Sequence, residues 1–574
     1  VPEVATTRPL EGRAELRAGS VNDERTGMVR LDGTSASGRL VFHVDALHRE
    51  TSDIDIPGYA ESDALHAGHG HAGDDHDGHA HDDEGEPAHG TLPNSFVRTD
   101  SGALGLSWIG DRGFIGMGQS LFSTRYGVPG HVHAGDDHAH GEDGGDEPGH
   151  GHGHGHHGDD AVRIVMDQRR SELRGGLDDI GPFQSLRARI AHTDYTHTEY
   201  EGEAVGTVFD NTTIEGRLEL AHQALGGWEG AIGLQWSQRD FAAVGAEAFV
   251  PDSESRDAGL FWIGERDFGP ASLELGLRHD RNRIDVAQDA GPSRDFSTTS
   301  LSLASRWDIS PDVHLSFGLD RAQRSPTAEE LYSAGMHVAT QSHEIGDAGL
   351  DIETANRAEI GLHWHRGPLR VGASVYAVRY DDFIHLADTG IVDHGLPVRA
   401  WTQADARFTG GELEAEWTFL DNDSGAWTAR VFGDVVRGRL DGRGTRSLAV
   451  TVPHGDHSHE HLAEVVLDGP LPRIAPARAG AELRWAGNHW RAGIGAVDYA
   501  RQDDVAAHET PTPGYTLVHA SLAWHMDTAS GNAVELFLNG SNLLDEEARV
   551  HTSFLKDLAP QPGRGFSAGV RILF

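Results

Sequence analysis

Twenty of the 38 histidines fall in three short tracts. The first holds His66, His69, His71, His76, His79, His81 and His89, within runs such as His-Ala-Gly-Asp-Asp-His-Asp-Gly-His-Ala-His. The second holds His131, His133, His138, His140, His150, His152, His154, His156 and His157. The third is His454, His457, His459 and His461. Gly, Asp and Glu fill the spaces between them, with almost no apolar residue. Such segments cannot bury a core, so they are expected to be mobile loops, spanning about 61–95, 129–161 and 450–465. Imidazole and carboxylate without thiolate suit Zn²⁺, Ni²⁺ or Cu²⁺. A lone tract would read as a solvated acidic loop. Three tracts of one composition point to metal capture.

The rest of the composition limits what could carry these loops. The chain has 574 residues, 90 acidic and 47 basic, for a net charge of −43, and no cysteine. The acidic excess leaves no basic footprint to neutralise phosphates, which argues against nucleic acid. Zero cysteine excludes disulfides, thiolate metal sites and iron–sulfur clusters. No apolar run approaches the roughly 18 residues of a membrane-spanning helix. A membrane barrel needs apolar residues only at alternate positions, so 37% hydrophobic residues does not exclude one. Val1-Pro2-Glu3 lacks the pattern of an export signal, which is expected upstream or already removed.

Between the tracts the chain alternates with period two. Leu273, Leu275 and Leu277 are separated by Glu274 and Gly276, and Leu315, Phe317 and Leu319 by Ser316 and Gly318. At the end, Phe566, Ala568, Val570, Ile572 and Phe574 share one face. This predicts an all-β chain of amphipathic antiparallel strands. Short connections, such as Gly110-Asp111-Arg112-Gly113, Ser310-Pro311-Asp312 and Gly487-Asn488-His489, alternate with long polar ones that include every histidine tract. In a meander, alternate connections lie at opposite ends, so the long loops share one end. The count is about 22 strands over residues 1–574, the size of a wide outer-membrane barrel whose lumen needs a plug. Ten of twelve tryptophans (108, 228, 262, 307, 364, 417, 427, 485, 490 and 524) fall near proposed short turns, as an interfacial aromatic girdle would.

Particular motifs then narrow the class. Arg324-Ser325-Pro326-Thr327-Ala328-Glu329-Glu330-Leu331-Tyr332 resembles a segment of TonB-dependent outer-membrane receptors. The spacing Leu350, Glu353, Asn356, Glu359, Gly361 resembles the strand that follows it, and Asn542-Leu543-Leu544-Asp545 with Phe574 the last two strands. Ile56-Pro57-Gly58-Tyr59, Tyr126-Gly127-Val128-Pro129, His337-Val338-Ala339-Thr340 and His551-Thr552-Ser553-Phe554-Leu555 bring the chain nearest to ZnuD-type zinc receptors. The resemblance implies the outer membrane of a Gram-negative bacterium and transport energised by the TonB-ExbB-ExbD complex acting on a plug inside the barrel. The first barrel strand is expected near Gly12–Leu16, so the plug is expected to lie outside this chain.

The resemblance also implies a zinc site shared by plug and barrel, with zinc as transported cargo and no organic cofactor. Its barrel half matches Glu199, in Asp194-Tyr195-Thr196-His197-Thr198-Glu199, and His337, in Gly335-Met336-His337. Both are expected at long-loop ends. One carboxylate and one imidazole leave two positions of a tetrahedral zinc ion for other ligands. His197, His343 and Glu344 are nearby reserves. Met336 alone says little about copper. No H-E-x-x-H element is present, and transport makes and breaks no bond, so the reading is a transporter rather than an enzyme. A receptor for haem, a siderophore, nickel or copper would use the same scaffold. A passive pore or a surface metal buffer would lack the energised step.

Overall fold

The computed structural model describes residues 1–65, 88–130, 161–245, 248–287, 290–393, 395–454, 457–529 and 531–574. In a hydrocarbon layer no water satisfies backbone N–H and C=O groups, so strands must bond to neighbours until the sheet closes. They do so here. One sheet of 25 strands contains a closed antiparallel wall of 22. The other three are the short strands Ala334–His337 and Ser342–Ile345, inside the crown, and His457–Pro470, beyond the wall. The ring closes between Leu10–Gly19 and Gly565–Leu573, with Leu16 opposite Val570. Gly12 N–H donates to the Phe574 carbonyl at 2.8 Å, and Phe574 N–H donates back to Gly12 at 3.0 Å.

Alternation sorts the side chains. Leu104, Met117 and Val375 point outward and are each 62% exposed, which in a membrane means lipid contact. Lumen-facing positions carry Arg–carboxylate pairs, often two residues apart on one strand: Arg217–Glu219 at 2.9 Å and Arg278–Asp280 at 2.6 Å. Others cross strands, as Arg170–Glu215 and Arg571–Glu535, both 2.6 Å. Trp108, Trp307, Trp417 and Trp490 stand half-exposed beside the short turns, as the aromatic girdle requires.

The apolar cores lie at the long-loop end rather than inside the wall. One gathers Ile284, Phe296, Leu331, Tyr332, Leu350 and Ile384 around a helical turn, Ala328–Tyr332. This explains the Arg324–Tyr332 motif. Thr327 caps the helix and Glu330 returns the bond, a reciprocal pair that fixes the chain's entry. Arg324 then donates to Glu330 at 2.8 Å and pairs with Glu353 at 3.4 Å, tying the turn to the next wall strand.

Two expectations about connections are corrected. The tract around His454–His461 is the end of a β-hairpin, Gly425–His454 with His457–Pro470, and not a loop. Apolar residues flanking the tract account for it, because Val450 and Ala463 are buried against Val398 with Leu448 and Ile345. Glu199 does not lie at a long loop: Phe183–Glu201 turns directly into Ala204–Leu225, with Gly202 at φ 56°. The first strand begins at Leu10, two residues before the expected start. The tracts at 66–81 and 131–157 lie outside the described residues. His89 lies within them, opposite Tyr59 in the two-stranded sheet at the base of the first loop, with ring centroids 4.6 Å apart.

Candidate metal site and relatives

Several strands overshoot the membrane. Leu369–Asp393, Leu396–Asn422 and Gly425–His454 run 25, 27 and 30 residues, against about 9–11 needed to cross. Their upper parts form a crown in which the candidate ligands sit. Tyr195, His197 and Glu199 alternate along one strand and so face the lumen together. Glu199 is buried, with His197 Nε2 3.8 Å from its carboxylate and Tyr195 Oη 2.9 Å from His197 Nδ1.

His337 comes from the hairpin Ala334–His337/Ser342–Ile345, which docks in parallel on Leu396–Asn422 through His343 opposite Val398. Its Nδ1 lies 2.8 Å from Glu344, and Thr340 Oγ1 donates to the same carboxylate oxygen at 2.8 Å. Burial pushes the Glu344 carboxyl up, but His337 and the Thr340 hydroxyl outweigh it and hold the group below the usual range. His343 turns the other way, 3.3 Å from Asp393.

Two phenylalanines connect these pairs. His197 stacks on Phe209 at 4.4 Å, Phe209 meets Phe249 at 6.2 Å, and Phe249 stacks on His337 at 4.4 Å. Met336 and Tyr126 pack against the cluster of Val128, Val162 and Ile164, and Ile164 pairs with Glu199 on the neighbouring strand. The crown thus collects two carboxylate–imidazole pairs, a thioether and an aromatic stack from distant parts of the chain. Among the described residues no three His, Asp or Glu donors converge on one point. The period-two spacing of Tyr195, His197 and Glu199 could have signalled their common face. Phe209 and Phe249 carry no such signal, because tertiary packing alone brings them between the imidazoles.

A second cluster adjoins the His337 hairpin, where Arg399 lies opposite Glu344 and donates to the Thr340 carbonyl at 3.3 Å. Arg399 and Arg473 lie over the Phe554 ring at 5.0 and 4.1 Å, beside a cavity of about 280 Å³ that also meets His385. Phe554 belongs to the His551–Leu555 motif, whose His551 is buried 3.0 Å from Thr512 Oγ1. Gly565-Phe566-Ser567-Ala568-Gly569 has the spacing of a nucleophile elbow. It runs straight within Gly565–Leu573, without the strand-to-helix turn that exposes such a serine.

A closed 22-strand wall with a lipid-facing apolar surface, a girdle at the short-turn end and a crown of overshooting strands defines an outer-membrane receptor barrel. Residues 61–543 match the family described as TonB dependent receptor-like, beta-barrel, and the chain belongs to it. Members of the family are outer-membrane receptors and transporters of Gram-negative bacteria that work with the TonB complex. Among solved structures, the chain is similar to the copper transporter OprC, with 17% identity, a TM-score of 0.74 and coverage of 100% of this chain and 82% of that one. It is also similar to the FrpB iron transporter from Neisseria meningitidis (F3-3 variant), with 15% identity, TM-score 0.69 and coverage of 99% and 82%. A third is a double mutant of the Serratia marcescens hemophore receptor HasR in complex with its hemophore HasA and heme, with 14% identity, TM-score 0.65 and coverage of 100% and 82%. These likenesses concern the fold.

Proposed function

We propose that this receptor imports a divalent transition-metal ion, zinc in the first place, across the outer membrane. The observation that carries the reading is the pairing of His-rich, acidic tracts with two carboxylate–imidazole pairs in the crown, Glu199 with His197 and Glu344 with His337. The tracts at 66–87 and 131–160 contain fifteen acidic residues and no Lys or Arg. Their field concentrates cations at the mouth, and their imidazoles hold them weakly. The ion then passes to Glu199 and His337, with further ligands from a plug, and is released inward when TonB acts on that plug.

Uptake of radioactive zinc by cells carrying the plug-bearing receptor tests this. Deleting 66–87 and 131–160 slows uptake mainly at scarce zinc. Glu199→Ala with His337→Ala abolishes the tightest binding whether or not the tracts are present. Loop deletion that removes tight binding, with a double substitution that changes nothing, refutes the assignment of the site.

Copper is a second reading, supported by Met336 beside His337 and by the fold likeness to a copper transporter. Competition between zinc and copper for uptake separates the two.

A further inference from the structure

At the inner mouth, beside the short turns, the lumen wall carries a second set of metal donors. Asp308 and His314 flank the turn at Ser310–Val313 and face each other across it. His314 is in turn directly opposite His363 on the next strand, and His365 follows two positions along. Residues opposite each other, or two apart, share a face of the sheet. That face is the lumen, because Trp307 and Leu362 alternate with these residues and point outward. The four side chains therefore stand together on the inner wall, at the short-turn end.

Their contacts suit a metal. Asp308 Oδ1 lies 2.6 Å from His314 Nδ1, and Arg306 Nε donates to the same carboxylate oxygen at 2.9 Å. With Nδ1–H donating to Asp308, a neutral His314 keeps its lone pair on Nε2, as in carboxylate–histidine–metal arrangements. Its ring stacks on that of His365 at 5.2 Å, with planes 20° apart. His363 lies beside Gly372, where a Cβ would sit 3.8 Å from its Nδ1, so the ring has room to turn. Two cations stand nearby. Arg306 Nη2 is 3.2 Å from His314 Nδ1 and is balanced by Asp308; Arg370, opposite His365, pairs with Glu416 at 3.6 Å. As they stand the donors do not converge three at a time. Binding requires rotation of the exposed His363 or His365 ring toward His314.

We propose that Asp308, His314, His363 and His365 form a metal-release site, in which an imidazole set held by Asp308 receives a borderline divalent ion such as Zn²⁺, Ni²⁺ or Cu²⁺ at the inner mouth. Its role as a release site rests on the metal-import reading, whereas its existence as a site does not.

Crystals of the plug-bearing receptor soaked in zinc chloride test it, through anomalous difference maps at the zinc edge. The expected result is a peak within about 2.5 Å of His314 Nε2 and of a nitrogen of His363 or His365. The peak disappears in His363→Gln/His365→Gln. A peak at Glu199 or His337 and none here overturns the proposal and leaves the import reading standing. A peak here and none at Glu199 or His337 supports the proposal and removes the crown site. No peak at either place overturns both. In detergent solution, zinc should slow modification of His363 and His365 by diethyl pyrocarbonate at least tenfold. An unchanged rate overturns the proposal.

Discussion

Glu509→Gln tests what holds the crown together. Glu509 accepts backbone N–H bonds from Arg473 at 2.8 Å and Ala506 at 3.0 Å, with Lys556 Nζ at 3.2 Å and His551 Nε2 at 3.3 Å. Its side chain is 8% exposed, so water screens little of this. Burial pushes the carboxyl up, but His551, the two backbone donors and Lys556 outweigh it and draw it from 4.5 down to about 2. At about 1.4 kcal/mol per pKa unit, that depression corresponds to roughly 3 kcal/mol. Burial also holds Lys556 below its ordinary value, which offsets part of the gain.

A group depressed in the folded state stabilises above its unfolded value and loses that effect as pH falls through the folded value. The contribution is therefore complete above about pH 4.5 and fades toward pH 2. Gln keeps the shape without the charge. Hydrogen exchange of peptides covering 548–558, corrected for intrinsic rate, should show about a hundredfold loss of protection at pH 7. The gap between the two proteins should shrink below about pH 4.5. Equal protection at pH 7, or a gap that widens in acid, refutes the reasoning.

Arg549, with its side chain 3% exposed, donates to the carbonyls of Tyr59, Ala60, Glu61 and Lys556; Arg549→Met should loosen this contact by about 3–5 kcal/mol and open 59–62 to proteolysis. Metal capture by the tracts should weaken between about pH 7 and 5.5, because free imidazole titrates near 6.5 and charging all 38 histidines would move the net charge from −43 to −5; undiminished zinc binding to the excised tract peptides at pH 5 would count against it. In single-tryptophan variants, lipids brominated near the headgroup should quench Trp108, Trp307, Trp417 and Trp490 strongly. Trp401, packed against the Leu331 cluster, should escape.

Strand number, the closing strands and the aromatic girdle were legible in the sequence because each follows from a local period or from which turns are short. The crown was less so. The hairpin through Val450 and Ala463 reads as a loop when only its histidines are weighed, since the buried partner Val398 lies far away in sequence. Glu199 and His337 stood out by resemblance, and their partners only partly. His197 and Glu344 are near in sequence, whereas Phe209 and Phe249 lie between the imidazoles only because the wall curves. The Asp308–His365 set needed cross-strand register, which no single-strand pattern gives.

The Arg–carboxylate pairing of the inner wall bears on how long an ion stays inside. A conduit of bare carboxylates would hold divalent cations and release them slowly, turning a passage into a store. Here Arg217, Arg278 and Arg571 each occupy the carboxylates beside them, so those stretches offer a divalent ion few vacant oxygens. Fifteen acidic residues without a counter-cation are placed instead in the tracts at 66–87 and 131–160. On the metal-import reading, residence is thus unevenly distributed: long among the tracts and at the donors of the inner mouth, and brief along the Arg-paired stretches of wall between them.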